Sequence, residues 1–353
     1  MLGFSVFLNE NWTEAKEAYV NDMADAGFEG VFTSLHIPED NGTSYWDRLQ
    51  PLLAIVQKRR LKLVADISGD ALRQIGFSLH DPEAIIASGF SGLRLDDGIG
   101  MQTAAGLSHH MIIGLNASTL TENDYAQLVE YGADFNHMIA WHNYYPKPET
   151  GLDESWFSAR NAWLKAKKFR VAAFAPGDRD LRLPLFETLP TLECHRQQNP
   201  FASFLALQQR YDVDDVYIGD PGISQWVYEQ FNAYMHRGRL LLHTAAHWPE
   251  ARAYLDGDHS NRLDVSRDVV RSDGSRSKNA YDTIPPENTV LRCLGSITID
   301  NHLYQRYKGE LQITRRELPQ DRKVNVIGHI LENDLALIDY IQSGTLFTMQ
   351  SPV

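Results

Sequence analysis

The sequence predicts an α/β protein, with a (β/α)8 TIM barrel over residues 1–237 and a smaller, mostly β domain over residues 238–353. The first observation is that short apolar runs alternate with longer stretches of helical periodicity, and that eight such runs precede residue 238. The second is that residues 8–12, directly after the first run, contain no glycine-rich turn. A doubly wound sheet, the alternative, has about five to seven strands and needs such a turn to bind phosphate. Both observations favour the barrel.

Eight runs rich in β-branched and aromatic residues are the predicted barrel strands. They occupy residues 3–8, 30–35, 61–67, 92–95, 111–115, 138–141, 171–174 and 215–218. Helical periodicity predicts helices at residues 13–26, 45–59, 123–131, 154–168 and 223–234. Thr13, Thr121 and Asp153 are placed to cap helices, because their side-chain oxygens can accept from the first free backbone N–H groups. Glycines stand where helices are expected to end, at positions 27, 132 and 238.

Beyond residue 238 the pattern changes to short strand candidates with little helix. The predicted strands are residues 240–244, 289–299, 307–314 and 323–330, and the predicted helix is 333–341. A polar stretch rich in Asp, Ser and Arg, residues 256–280, separates the first of these strands from the others. This composition predicts a mostly β domain.

Composition excludes several classes of protein. Lys and Arg number 33 and Asp and Glu 46, which gives a formal net charge of −13. An acidic surface repels phosphate backbones, so we expect no nucleic-acid partner. No apolar run reaches the length of a membrane span, about 18–20 residues, and the N-terminal segment lacks the basic region of a signal peptide. Two cysteines, Cys194 and Cys293, cannot form a disulfide framework or a cysteine zinc site. We expect a cytoplasmic protein with no membrane partner, and the oligomeric state stays open.

Polar side chains follow nearly every predicted barrel strand, at the end where the reactive residues of such barrels lie. The candidates are Glu10, Asp66, Arg94, Asp96, Asn116, His142, Asn143, Tyr145, Glu193, His195, Arg196 and Asp220. The carboxylates are the informative subset, because glycoside hydrolysis needs two carboxylates that flank the scissile bond. Helix capping or pairing with arginine explains single members of the set equally well. The strand ends offer no His-x-His pair for a metal centre and no lysine for Schiff-base chemistry, so we expect no metal and no organic cofactor.

Two pairs of charged residues have spacings that bring them together. Arg94 and Asp96 alternate along a strand, so both are expected to face the barrel mouth, as a salt bridge or as part of a catalytic site. Glu193 and Arg196 are expected on one face of a helix start, at i, i+3. Arg196 then suits bidentate capture of a phosphate or carboxylate, or it forms a surface ion pair. Residues 141–148, rich in aromatic and amide groups, suit either a sugar ring or a packed, proline-stiffened loop.

The same residues resemble a bacterial protein family. The barrel carries Arg94-Leu95-Asp96, residues 142–146, residues 190–193 with His195-Arg196, and residues 219–221; the second domain carries residues 261–262, 267–272, 275–276, 295–301 and 307–310. In this order they are similar to the 6-phospho-N-acetylmuramidases of the MupG type, a glycoside hydrolase family formerly known as a domain of unknown function. The resemblance implies a (β/α)8 barrel followed by a cyclophilin-like β domain. It also implies cytoplasmic cleavage of N-acetylmuramic acid 6-phosphate from N-acetylglucosamine during cell-wall recycling. The family commonly has an aromatic residue after the strand-four aspartate, where this chain has Asp97.

The resulting hypothesis is a phospho-glycosidase whose partner is a small phosphorylated disaccharide. Asp96 and Glu193 are expected to be the catalytic pair, and Asp66 is the alternative for either of them. The expected substrate-binding residues are Glu10, Arg94, Asn116, His142, Asn143, Tyr145, His195, Arg196 and Asp220 of the barrel, and Arg271 or Arg276 of the second domain. In a substrate-assisted variant, the acetamido group of the sugar acts as the nucleophile. The rival hypotheses are a non-catalytic sugar-phosphate sensor and a barrel isomerase or epimerase, whose product keeps the mass of its substrate.

Overall fold

A computed structural model describes residues 1–35, 42–67, 69–95 and 98–352. The chain divides into two compact units, Met1–Tyr228 and Glu229–Val353. Asp96, one of the predicted catalytic residues, lies outside the described residues. Within the described ranges, no helix is both long enough and apolar enough to cross a membrane.

The first unit is a closed barrel of eight parallel strands. Each strand pairs with the next along the chain, and β1 closes the barrel by pairing with the last. The strands are β1 (Leu2–Ser5), β2 (Gly30–Ser34), β3 (Lys62–Ile67), β4 (Gly92–Leu95), β5 (Ile112–Asn116), β6 (Met138–Trp141), β7 (Arg170–Ala175) and β8 (Asp215–Ile218). They coincide with the eight predicted runs except at their ends, so the predicted (β/α)8 barrel is confirmed.

Helices connect the strands, and the last of them crosses the boundary between the two units. They are α1 (Glu14–Asp25), α2 (Gly42–Arg59), α3 (Gly69–Gln74), α4 (Pro82–Ser88), α5 (Met101–Ser108), α6 (Glu122–Glu130), α7 (Glu154–Ala166), α8 (Pro200–Gln209) and α9 (Gln225–Arg237), with 3-10 turns at Phe135–His137 and Glu193–His195. The predicted caps are confirmed: the side chains of Thr13, Thr121 and Asp153 each accept from the backbone N–H three residues later. The helix starts are therefore encoded locally, by single polar side chains.

Large side chains from alternating strand positions fill the barrel interior. The main members of this core are Phe32, Ile139, Trp141, Phe174 and Tyr217. Tyr217 fits because two neighbouring strands carry glycine opposite it. A Cβ on Gly3 would lie 2.3 Å from the Tyr217 ring, and a Cβ on Gly30 would lie 2.7 Å from the Tyr217 hydroxyl. This apolar layer supports the polar side chains that follow the strands at their carboxyl ends.

The second unit is mostly β, as predicted. Its strands are β9 (Leu240–Ala246), β10 (Gly257–Ser260), β11 (Val269–Arg271), β12 (Ser296–Asp300), β13 (Leu311–Thr314), β14 (Val324–Ile330) and β15 (Leu346–Gln350). They form one mixed sheet in the order β10-β15-β9-β14-β12-β13-β11, antiparallel except where β15 lies beside β9. Short helices α10 (Arg252–Leu255) and α11 (Ser275–Lys278) and 3-10 segments at Pro249–Ala251, His302–Tyr307 and Glu332–Tyr340 complete it.

The helix predicted at residues 333–341 is present at Glu332–Tyr340, where it has 3-10 geometry. Asp334 in this segment is fully buried, and its Oδ2 accepts from the backbone N–H of His243 at 2.7 Å. That bond ties the segment to β9. Over so short a stretch, an apolar pattern does not distinguish 3-10 from α geometry.

Candidate active site

Three of the predicted residues meet at the carboxyl ends of the barrel strands. Asp66 on β3 and Arg94 on β4 are direct partners in the sheet register. The Arg94 guanidinium donates from Nη1 to Asp66 Oδ1 at 2.7 Å, and from Nη2 to Asn143 Oδ1. The Arg94 side chain is buried, whereas that of Asp66 is 16% exposed. The barrel mouth therefore holds a carboxylate that is ion-paired and still partly accessible to a ligand.

A glycine at position 114 lets Arg94 reach across a strand. Arg94 on β4 is in register with Gly114 on β5, β5 pairs with β6, and Asn143 follows β6. A Cβ at position 114 would stand 3.2 Å from the Arg94 Cβ and 3.3 Å from its Cγ. Because that side chain is missing, the guanidinium has room to cross β5 and bond to Asn143.

An aromatic group covers the barrel core at the same end. The Tyr144 ring meets Phe7, Phe32 and Phe174 edge-on, with centroid separations of 6.3, 6.4 and 5.1 Å. Arg182, from the loop after β7, donates to the Tyr144 hydroxyl at 2.6 Å and lies over the Phe7 ring, with its Cζ 4.2 Å from the centroid. Burial raises the pKa of Tyr144, so its hydroxyl stays neutral. An aromatic face beside a guanidinium suits a sugar ring that carries an anionic group.

Glu193 and Arg196 form the ion pair that their spacing predicts, and the pair joins two loops. Arg196 donates to both carboxylate oxygens, from Nε at 2.6 Å and from Nη2 at 2.7 Å. The backbone N–H groups of Glu149 and Gly151, after β6, donate to the same oxygens at 2.9 and 2.7 Å. We call these four bonds the loop brace. Chiefly because of the bonds to Arg196, the pKa of Glu193 is lowered to about 2. A carboxylate with so low a pKa does not suit a general acid.

Asp220 is buried after β8 and links the two ends of the loop that carries Arg182. Its Oδ2 accepts from the backbone N–H groups of Gly177 at 2.7 Å and Leu189 at 2.9 Å. Its Oδ1 is buried and has no hydrogen-bond partner among the described residues. Burial raises the pKa of Asp220 to about 6. These contacts make Asp220 a support for the loop, away from the accessible part of the mouth.

The two histidines predicted to bind substrate are buried outside this network. The His142 ring packs 4.5 Å from the Phe157 ring, centroid to centroid, and its Nε2 lies 2.8 Å from the Asn161 side-chain oxygen. Phe157 and Asn161 belong to α7, so His142 faces the helix layer, whereas Trp141 faces the barrel interior. Burial lowers the pKa of both His142 and His195 to about 4, so both rings are neutral at pH 7.

The remaining predicted residues make local contacts. Glu10 is exposed after β1 and lies 4.0 Å from a lysine ammonium. Asn116 ends β5, and its side-chain oxygen accepts from the backbone N–H two residues later. The carbonyl of Tyr145 accepts from Arg196 at 3.0 Å. Arg271 belongs to the second unit, where it donates to both oxygens of a buried glutamate.

Tyr144 and Arg182 were not among the predicted site residues. Tyr144 lies in the aromatic segment at residues 141–148, and a count of aromatic neighbours does not show which ring covers the core. Arg182 is in the middle of the loop between β7 and α8, away from any strand end, so position along the chain does not mark it. Among the described residues, no group of three His, Cys, Asp or Glu side chains is arranged to hold a metal ion.

Fold and site together define a (β/α)8-barrel protein whose mouth presents an ion-paired carboxylate, an arginine and an aromatic face. Comparison with protein families then gives the particular family. The profile described as 6-phospho-N-acetylmuramidase, N-terminal, matches residues 2–233, and the profile described as 6-phospho-N-acetylmuramidase, C-terminal, matches residues 241–350. The chain therefore belongs to the 6-phospho-N-acetylmuramidase family.

Two solved structures are similar to this chain over nearly its whole length. A conserved protein of unknown function from a locus in Enterococcus faecalis is 44% identical, with a TM-score of 0.93, over 99% of this chain and 96% of that one. An uncharacterized B. cereus protein is 28% identical, with a TM-score of 0.75, over 99% of both chains. A sequence comparison with curated proteins finds no match.

Proposed function

We propose that the chain is a hydrolase that cleaves N-acetylmuramic acid 6-phosphate from N-acetylglucosamine, a cytoplasmic step in the recycling of cell-wall fragments. The observation that carries the proposal is the ion pair of Asp66 and Arg94, 2.7 Å apart, at the mouth of a barrel of this family. Barrel enzymes carry their reactive residues at this end of the strands. A carboxylate and a guanidinium held there supply a catalytic group and a cation for a phosphorylated sugar.

Glycoside hydrolysis needs a second carboxylate beside Asp66. We assign Asp96 to this role, because alternation in the sequence predicts that it faces the same side as Arg94, the partner of Asp66. Glu193, our first expectation from the sequence, is left out because the loop brace occupies both of its oxygens. One aspartate then protonates the leaving oxygen, and the other acts as nucleophile or base, or orients the acetamido group when that group attacks.

Arg182 is the proposed contact for an anionic group of the substrate. The terminal nitrogens of Arg94 already donate to Asp66 and Asn143, whereas Arg182 is half-buried and donates from Nη1 to Tyr144. The bond to Tyr144 holds the guanidinium in one orientation, which reduces the entropy lost when an anion binds. Tyr144 is half-buried, so its side chain is still accessible to a sugar.

The test is mass spectrometry of the full chain incubated with the muramyl disaccharide, with and without its 6-phosphate. We expect release of N-acetylmuramic acid 6-phosphate from the phosphorylated form alone. Binding without cleavage would support a sugar-phosphate sensor, and a product of unchanged mass would support an isomerase or epimerase. Either result overturns the proposed reaction.

Single substitutions assign the roles within the site. Asp66→Asn and Asp96→Asn are each expected to lower turnover by about 10²–10⁴-fold, the usual contribution of a catalytic acid or base. Asp22→Asn, at an exposed position on α1, is the matched control and should leave turnover unchanged. Full activity in Asp66→Asn would remove Asp66 from the mechanism.

A further inference from the structure

Three arginines and two carboxylates form a cluster in the second unit. Arg271 donates to Glu310 from Nε at 2.7 Å and from Nη2 at 3.2 Å, and Arg276 Nε lies 3.1 Å from Glu310 Oε2. Arg271 also donates to Asp264 at 3.2 Å, and Arg262 donates to the same aspartate from Nε at 2.8 Å. The motifs at residues 261–262, 267–272 and 275–276 thus meet the motif at residues 307–310, which is more distant in the sequence.

Arg262 and Arg276 are only partly used by this cluster. Each directs its Nε towards a carboxylate, while its terminal Nη groups donate no hydrogen bond to any described residue. Their side chains are 31% and 37% exposed, so these donors are accessible from outside the unit. Arg271, in contrast, uses Nε and both Nη groups on Glu310 and Asp264. The cluster therefore holds one arginine for structure and presents two with free donors.

The two accessible arginines line the same cavity. It has a volume of about 160 Å³, and Ser277, Asp273 and Glu310 also contribute to its wall. A water molecule occupies about 30 Å³ in the liquid, so the cavity has room for a group of about five non-hydrogen atoms. A phosphate group has that size. Guanidinium groups with free Nη donors are the side chains best suited to phosphate oxygens.

We infer that the second unit carries a binding site for the phosphate group of a sugar phosphate, held by Arg262 and Arg276. Arg271 pairs with both Glu310 and Asp264, and the Nη donors of Arg262 and Arg276 remain available to a ligand. Asp273, exposed in the cavity wall, repels the phosphate of either ligand, but only a sugar phosphate has sugar hydroxyls that can donate a hydrogen bond to it. All residues of this site belong to the second unit, whereas the proposed hydrolysis is assigned to residues of the barrel.

Isothermal titration calorimetry of the full chain tests this inference, with glucose 6-phosphate, inorganic phosphate and glucose as the three probes. We expect glucose 6-phosphate to bind more tightly than phosphate, and glucose to give no binding. Arg262→Gln and Arg276→Gln should each raise the Kd for glucose 6-phosphate by about tenfold, the equivalent of one charge-assisted hydrogen bond. Arg262→Lys, which keeps the charge but loses the fork, should fall between the wild type and Arg262→Gln. Arg292→Gln, a half-buried arginine of the same unit outside the cavity wall, is the matched control.

A further pair of variants separates this site from the barrel and from effects on folding. Ser277→Asp adds a negative charge at an exposed cavity position without touching the ion pairs, and should abolish binding. Asp66→Asn and Arg182→Gln, in the barrel, should leave the affinity of the second-unit site for glucose 6-phosphate unchanged, even where they weaken binding at the barrel. The inference is overturned if binding is lost in the barrel variants instead. An equal effect of Arg292→Gln, or undiminished binding in Ser277→Asp, also overturns it.

Discussion

Replacing Glu193 by Gln distinguishes a loop brace from a catalytic carboxylate. The pKa of Glu193 is lowered from 4.5 to about 2, and the bonds from Arg196 are the main cause. One pKa unit corresponds to about 1.36 kcal/mol, so the ionised carboxylate stabilises the fold by at most about 3 kcal/mol. The side chain is 33% exposed, and solvent screening reduces this figure. We expect Glu193→Gln to lower the free energy of unfolding at pH 7 by about 1–2 kcal/mol.

The pH dependence of this loss is the sharper test. A carboxylate whose folded-state pKa lies below its unfolded value contributes its full stability above the unfolded pKa, here 4.5. That contribution is lost as the pH falls towards 2, the folded-state pKa. The difference between wild type and variant, measured by urea unfolding, should therefore be constant from neutral pH down to about pH 5 and shrink at pH 4 and pH 3. Glu130→Gln, an exposed glutamate at the end of α6, is the control and should show no such trend.

Turnover of the same variants completes the test. If Glu193 only braces the loops, Glu193→Gln should lower turnover by less than about tenfold, well below the loss of about 10²–10⁴-fold typical of a missing acid or base. Unchanged stability at every pH combined with a catalytic loss of that size would refute the brace. Glu193 would then return to the catalytic pair, as its position in the sequence suggested.

Three further substitutions test the packing around the mouth and core. Gly114→Val should displace the Arg94 guanidinium that crosses β5 and lower turnover by about 10²-fold. Gly106→Val is the control, because a Cβ at that position meets nothing within 4 Å, and it should leave turnover unchanged. An equal loss of turnover in the two variants would contradict the path of Arg94 across β5. Burial raises the pKa of Asp220 from 3.8 to about 6, so its ionised form destabilises the fold above that pH. The unfolding free energy of Asp220→Asn, relative to that of the wild type, should therefore be about 1–3 kcal/mol higher at pH 8 than at pH 4. A variant that is more destabilised, relative to the wild type, at pH 8 than at pH 4 would contradict this expectation. Gly30→Ala should lower the unfolding free energy by about 1–3 kcal/mol, because its Cβ overpacks the Tyr217 hydroxyl. Tyr217→Phe should restore part of that loss in the double variant, and strictly additive effects of the two substitutions would contradict the contact.

The barrel was predictable because its signals are local and repeated. Each strand is a short run of β-branched and aromatic residues, and each tested cap is one polar side chain three residues from the N–H it accepts. In the second unit, β10 escaped prediction because Gly257–Ser260 has no apolar alternation and its residues are exposed or half-buried. It becomes a strand only by pairing with β15, a partner about ninety residues away along the chain. Strands defined by such distant pairing leave little trace in their own sequence.

The candidate site was predictable as a set of positions but not as a set of roles. Alternation along the strand is enough to turn Arg94 into the mouth, yet its partners depend on the neighbouring strands, including the absence of a side chain at Gly114. The sequence likewise predicts a contact of Glu193 but not its role. Its i, i+3 spacing to Arg196 is compatible with an acid or with a brace, and two backbone N–H groups from a loop more than forty residues away favour the brace. The role of a carboxylate depends on the donors that surround it, and in a barrel those donors come from loops that follow different strands.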